Sequence, residues 1–218
     1  MTNWIEQMVA DEPSLAGCHT AVLQAKDLLY TCVANGRKIL VCGNGGSAAD
    51  SEHIVGELMK GFHLKRPVDA CFRHQASQCF GDATGEDLVD HLQAAIPAIS
   101  LVSQSALITA FMNDVDGSMV FAQQVYGYGK PGDCLLALST SGNSKNIIKA
   151  VQVATVCGVR TIGLTGENGG ELAALCEVCI RVPSNSTPVV QQYHQKVYHA
   201  LCAELEDLFF GSHQGGEA

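Results

Sequence analysis

The chain has 218 residues, 47% hydrophobic and 16% charged, enough for one well-buried domain and too apolar for a disordered one. A formal net charge of −9 with no basic run excludes a general nucleic-acid binder. No apolar run approaches the roughly 20 residues that span a bilayer, and the first residues, Met1 to Gln7, lack the basic and apolar regions of a secretory signal, so a cytoplasmic protein without a membrane partner is expected.

Residues 3–36 read as an N-terminal helix, with Ala21, Val22, Ala25, Leu28, Leu29, Cys32 and Val33 in one stripe and Asn35-Gly36 as its stop. Lys38 to Cys42 is a short apolar run of the kind a buried parallel strand shows. It enters Gly43-Asn44-Gly45-Gly46-Ser47, where glycines allow a sharp turn and close approach to a ligand. Ser47 and Asp50 resemble a capping box, which predicts a helix start near Ser47 with free N–H groups suited to an anion. On that helix His53 and Glu57 are four residues apart and share a face. From about Leu64 to Leu92 the pattern is irregular. Arg66-Pro67 breaks regular structure and Gly81 to Gly85 is turn-like, so a surface excursion is expected.

Ile96 to Val102 predicts a second strand, Ser105 to Met112 a short helix ending at Asn113-Asp114, and Ser118 to Tyr128 another before the turn at Lys130 to Asp133. Cys134 to Leu138 predicts a third strand, leading through Ser139 to Ser144 into an amphipathic helix over Lys145 to Cys157. A strand over Val159 to Leu164, a short helix over Gly169 to Leu175 and a strand over Val178 to Val182 follow. The last helix starts at Thr187-Pro188 and runs to about Phe210, and residues 211–218 read as a polar, disordered tail. Ten cysteines, mostly within apolar segments, read as core residues, and Cys176 and Cys179 form a CxxC with no second pair at zinc-finger spacing. Strand and helix alternate from Lys38 onward, which implies a parallel α/β sheet with helices on both faces and ligands at the C-terminal strand ends.

Two loops combine small and polar residues between a buried strand and a helix. Ser139-Thr140-Ser141-Gly142-Asn143-Ser144 offers four hydroxyls at a helix start, as phosphate binding requires. A capped helix start gives a similar pattern, but the preceding strand and the hydroxyl density favour phosphate. Gly43, Gly45 and Ala48 also fit the dinucleotide fingerprint, although no acidic residue follows at the end of a next strand. In the last helix Gln191, Gln195 and His199 share one stripe, while His194, Val197, Leu201, Leu205 and Leu208 form an apolar one. His194 therefore reads as a packed core residue, and spacing alone leaves His199 open between a site and a solvated face.

Taken together, Cys42 to Ser47 with His53 and Glu57, Asn113-Asp114, Leu138 to Ser144, Leu164-Thr165-Gly166 with Gly169-Gly170, and Gln191 with His199 resemble the SIS (sugar isomerase) domain family over nearly the whole chain. Within it the resemblance is strongest to phosphoheptose isomerases, which convert sedoheptulose 7-phosphate to D-glycero-D-manno-heptose 7-phosphate. The resemblance implies a single SIS domain over residues 1–218, a flavodoxin-like doubly wound sheet in three α/β/α layers, long terminal helices, and a homotetramer with interfacial active sites. It places the sugar phosphate on Ser139, Thr140, Ser141 and Ser144, and the sugar on Asn44, Gly45, Gly46, Asn113 and Asp114, with Glu57 and Gln191 also touching substrate. His53, Glu57, Gln191 and His199 match the family's zinc ligands, and Glu57 and His199 its acid/base pair.

Isomerisation through an enediol moves a proton between C1 and C2, for which a carboxylate and an imidazole are suitable. Zinc accepts His nitrogen and Glu oxygen readily, whereas Gln is a weak ligand, so modest affinity is expected. Two departures from the family bear on substrate choice. Residues from about 65 to 93 read as an insertion of roughly 25 or more residues, and Val189-Val190-Gln191-Gln192 stands where the family has Arg-Ile-Gln-Glu. A related tetramer acts as a replication-initiator-binding adaptor without the glutamate and last histidine. Both are present here, as Glu57 and His199, which favours an enzyme. A third reading is a sugar-phosphate isomerase or sensor with another ligand.

Overall fold

Five short apolar runs form one sheet: β1 (Ile39–Cys42), β2 (Ala98–Ser100), β3 (Cys134–Leu138), β4 (Arg160–Thr165) and β5 (Val178–Arg181). The computed structural model describes residues 3–211, so the tail expected at 211–218 lies outside them but for Gly211. All strand pairs are parallel in the order β2-β1-β3-β4-β5, the flavodoxin-like doubly wound arrangement with its switch point between β1 and β3. The helices are α1 (Trp4–Asp11), α2 (His19–Ala34), α3 (Gly46–Met59), α4 (Ala70–Phe80) and α5 (Asp82–Asp90). After β2 come α6 (Ser105–Asp114), α7 (Val120–Tyr128), α8 (Lys145–Val156), α9 (Leu172–Leu175) and α10 (Thr187–Phe210).

Successive strand residues point to opposite faces, and the core divides accordingly. Ile39, Val41, Leu136, Leu138 and Ile162 pack with Ile5, Val22, Ile54, Val197 and Leu201 from α1, α2, α3 and α10. Leu40, Cys42, Leu135 and Ala137 pack on the other face with Val120, Val125, Ile147, Val151 and Leu172 from α7, α8 and α9. Cys18, Cys32, Cys42, Cys134 and Cys202 are buried free thiols, as expected, whereas Cys71 and Cys79 are exposed on α4. Among the described residues no helix is long and apolar enough to cross a membrane.

Local structure corrects three expectations. Residues 3–36 are not one helix: α1 stops at Asp11, Pro13 opens a 3-10 turn over Pro13–Cys18, and α2 begins at His19, because proline has no N–H to continue the ladder. Ser47 does not cap α3. The cap is Gly45 at φ +56°, with no side-chain cap bond, and Ser47 lies buried inside the helix. The segment expected to be turn-like at Gly81 to Gly85 turns at Gly81 alone (φ +80°), and α4 and α5 on either side form a helical hairpin. It packs largely on itself through Ala76, Gly85 and Val89, and a Cβ on Gly85 would lie 2.6 Å from Ser77 N. Few buried positions leave little periodicity to read.

A buried ion pair ties α3 to α10. Arg66 Nε donates to Glu206 Oε1 at 2.7 Å, and both side chains are fully buried. Glu206 also accepts the amides of Phe62 (2.8 Å), His63 (2.6 Å) and Leu64 (3.1 Å). Arg66 Nη1 and Nη2 donate to the carbonyls of Leu58 (2.7 Å) and Glu57 (3.1 Å), and its guanidinium lies 4.8 Å from the Phe210 ring. Arg66 thus satisfies carbonyls that the last turn of α3 leaves without helical partners. Burial pushes the Glu206 carboxyl up, but the Phe62 and His63 amides and Arg66 outweigh it and hold it below its ordinary value. His194 is fully buried with neither ring nitrogen hydrogen-bonded, and burial pushes it down to about 4.

Glu206→Leu strands Arg66 and three amides together and should cost about 3–5 kcal/mol in urea unfolding. Arg66→Met leaves Glu206 its amide donors and should cost less. The Glu206 contribution is full above the unfolded carboxyl value of ~4.3 and is lost as pH falls through the depressed folded value. His194 is depressed as well, so the unfolded chain protonates first, and stability falls from pH ~6.5 down to about 4. His194→Leu should flatten that limb, and an unchanged slope would refute the assignment.

Candidate active site

The glycine turn after β1 lies against the start of α10. A Cβ on Gly46 would overlap Gln191 Nε2, so the Gln191 side chain rests on bare backbone there. Further along both helices, His53 Nε2 on α3 lies 3.0 Å from Glu57 Oε1. The His199 ring on α10 lies 5.0 Å from that of His53, nearly perpendicular at 78°, and 5.6 Å from Phe62. Glu57 Oε2 and His199 Nε2 are both buried without a hydrogen-bond partner, and Lys60 Nζ is 3.6 Å from the former. Burial, then the neighbouring His53, push His199 down against the upward pull of Glu57. A neutral imidazole and a carboxylate, each with an uncommitted atom, can exchange protons with a ligand.

Behind this group stand Asp50 and Tyr198. The buried Tyr198 hydroxyl donates to Asp50 Oδ1 at 3.2 Å and lies 3.1 Å from His53 Nδ1. Burial, then Asp50, push the phenol up, so it keeps its proton, and burial raises Asp50 as well.

The Ser139–Ser144 loop follows β3 and opens α8. Ser139 Oγ and Ser144 Oγ are 3.0 Å apart, the Asn143 amide donates to Ser141 Oγ at 3.2 Å, and Ser144 makes no side-chain cap bond to α8. The Ile147 amide is taken by Asn146 Oδ1 at 3.0 Å, and hydroxyls gathered at a helix start are of the kind that suits an anion. Gly142 (φ +68°) packs so tightly on Gly169 and Gly170 that a Cβ would overlap the Gly169 carbonyl. Asn44 and Asn146 exchange two amide bonds, at 2.9 and 2.8 Å, which join the loop after β1 to the first turn of α8.

His53, Glu57 and His199 are therefore gathered together, with Gln191 at the glycine turn and that turn joined through Asn44 to the start of α8, the helix that the hydroxyl loop opens. Asn113 and Asp114 are different. They end α6, exposed and bonded to each other at 2.7 Å, with no hydrogen bond or ion pair among the described residues to α3, α10 or the Ser139–Ser144 loop. Nor do three His, Cys, Asp or Glu side chains among the described residues form a metal-holding group. Asp50, Tyr198, Asn146 and Arg66 escape a reading by motif. Asp50 lies three residues before His53, on the same helical face, and that spacing is the signal that marks it.

The SIS domain profile matches residues 14–84 and 73–166. The phosphoheptose isomerase of Rhodospirillum rubrum is 39% identical over 193 residues, 88% of this chain and 88% of the relative. That of Aneurinibacillus thermoaerophilus is 35% identical over 205 residues, 94% of this chain and 88% of the relative. The solved phosphoheptose isomerase of Neisseria gonorrhoeae superposes with a TM-score of 0.72 at 32% identity, covering 93% of this chain and 94% of its own. With the sheet order and the loops described above, these matches show that the chain belongs to the SIS domain family, among the phosphoheptose isomerases.

Proposed function

We propose that the protein is a sugar-phosphate isomerase that converts sedoheptulose 7-phosphate to D-glycero-D-manno-heptose 7-phosphate through an enediol(ate), as a cytoplasmic homotetramer. The observation that carries this reading is that Glu57 Oε2 and His199 Nε2, on two helices that meet at His53, are buried without a hydrogen-bond partner, in a chain whose relatives are named phosphoheptose isomerases. Glu57 takes the proton from one carbon and returns it to its neighbour, while the neutral His199 gives and accepts protons at the sugar oxygens. Ser139, Thr140, Ser141 and Ser144 hold the phosphate at the start of α8. Asn44, Gly45, Gly46, Asn113, Asp114 and Gln191 contact the sugar.

Helix α6 buries none of its residues and exposes Leu107 and Met112, with Val115 exposed just beyond its end, which supports a site completed between subunits that includes Asn113 and Asp114. The donor types of His53, Glu57, Gln191 and His199 are ones that zinc accepts, although these side chains do not already form a metal-holding group in this structure. When bound, zinc would stabilise negative charge on the enediolate oxygens. An adaptor role is not favoured, since the relatives are named as isomerases and Glu57 and His199 are both present.

Purified protein given sedoheptulose 7-phosphate should yield the aldose, faster with zinc than after chelation. Glu57→Gln and His199→Ala should each lower kcat about 10²–10⁴-fold. Absence of product in both metal states would remove this substrate. Gly142→Ala, strained at φ +68° and overlapping the Gly169 carbonyl, should cost about 1–3 kcal/mol and lose the thermal protection that inorganic phosphate gives the parent protein. Retained protection would move the phosphate away from this loop.

A further inference from the structure

Cys176 and Cys179 are both half-buried free thiols, the first closing α9 and the second lying in β5. Parallel register places Cys42, Ala137, Gly163 and Cys179 side by side across β1, β3, β4 and β5, so their side chains share one face of the sheet. The glycine leaves a gap in that row, and two sulfurs border it. The point where a Cβ on Gly163 would stand is 3.1 Å from Cys176 Sγ and 3.4 Å from Cys179 Sγ. The chain bends at Cys176 and Glu177, where the Glu177 amide donates to Thr161 Oγ1 at 3.0 Å. That bend brings Cys176 over the face that Cys179 shares.

The pair has the CxxC spacing of a redox dithiol, and the fold keeps it apart from other sulfur. Cys42, in the same row, is fully buried and two strand spacings, roughly 10 Å, from Gly163. The two thiols are not equivalent. Burial raises both, Cys176 to about 12, and the neighbouring Cys179 adds to that rise, whereas the Thr165 hydroxyl and Arg181 pull Cys179 back. Thr165 Oγ1 lies 3.6 Å from Cys179 Sγ. Cys179 is therefore the thiol that attacks first, and Cys176 the one that resolves. Burial also denies the reduced pair the thiolate stabilisation that makes a disulfide strongly oxidising, so a bridge here persists once formed.

We propose that Cys176 and Cys179 are a modification site, forming a reversible disulfide by exchange with a low-molecular-weight disulfide such as oxidised glutathione. The Cys179 thiolate attacks one sulfur of the reagent, displaces one thiolate and leaves a mixed disulfide. Cys176 then loses its proton and attacks Cys179 Sγ, displacing the second thiolate. The protein gives up two electrons and two protons, and the reagent takes them and leaves as two thiols. The bond closes the far end of α9 onto β5. The near end of that helix supports the hydroxyl loop, since the Leu172 amide donates to the Gly142 carbonyl at 3.1 Å and the Glu171 amide to Asn143 Oδ1 at 3.0 Å. The exchange itself needs no substrate and does not rest on the functional reading above.

Trypsin releases both cysteines in one peptide, residues 161–181, bounded by Arg160 and Arg181. The native protein is incubated with oxidised glutathione, quenched in acid, unfolded, alkylated and digested. That peptide should then be two hydrogens lighter than its reduced form and take no alkylating agent, and excess reduced glutathione should reverse the change. Cys176→Ser should stop at the mixed disulfide, with one glutathione on Cys179. Gly163→Ala keeps both thiols but presses a methyl group on the two sulfurs, and should lower the yield of the bridge several-fold. The parent peptide and Cys176→Ser decide the matter if Gly163→Ala does not fold. The exposed Cys71 and Cys79 should each take a glutathione and so report that the reagent is active. A 161–181 peptide that stays reduced or carries two glutathiones while Cys71 and Cys79 react, or one bridged to Cys42, overturns the proposal.

Discussion

The buried pair of Arg66 and Glu206 sets the geometry on which the candidate site depends. A buried ion pair is a poor source of net stability, since desolvation offsets most of its attraction. Its value lies in what it orders. Glu206 gathers three consecutive amides of the segment after α3, and Arg66 holds the last carbonyls of α3 itself, including that of Glu57. The segment so fixed carries Phe62 against His199 and His63 against Trp4, whose rings stack at 4.5 Å. Trp4 in turn donates from Nε1 to Asp207, one residue beyond Glu206. One cluster thereby registers α1, α3 and α10, and with them Glu57 and His199.

The other half of the site is built on the sheet. Parallel strands end together, and at the switch point between β1 and β3 their following loops diverge to opposite faces. Asn44 and Asn146 bridge that divergence with reciprocal amide bonds, while the packing of Gly142 on Gly169 and Gly170 braces the hydroxyl loop from the β4 side. The Ser139–Ser144 loop thus leads into one layer of helices, whereas Glu57 and His199 sit on the other.

The strands were legible in the sequence because each holds a short apolar stretch, uninterrupted in Ile39–Cys42 and in Cys134–Leu138, and the latter begins and ends where expected. The long helices were legible from their periodicity, and His194 as a core residue from the stripe it shares with Val197 and Leu201. The start of α3 was not, because Gly45 supplies by backbone conformation what a Ser47 cap would supply by side chain. Arg66 was not either. A charged residue before a proline reads as a solvated loop until its partner, 140 positions away, is known. The link from Tyr198 to His53 is likewise a contact between distant elements, and local spacing cannot report it.

The α4–α5 hairpin has ends that nearly meet. The Ala94 amide donates to the Arg66 carbonyl at 2.8 Å, and the Gly61 amide to Gln93 Oε1 at 2.6 Å, so the excursion leaves and rejoins the body through a closed neck. Closing a loop of any length costs entropy that grows only with the logarithm of its length. An ancestral chain could have gained this hairpin, or a descendant could shed it, with little change to the sheet. The neck therefore confines any change in the hairpin's length to the periphery, away from the sheet and from the helices that carry Glu57 and His199.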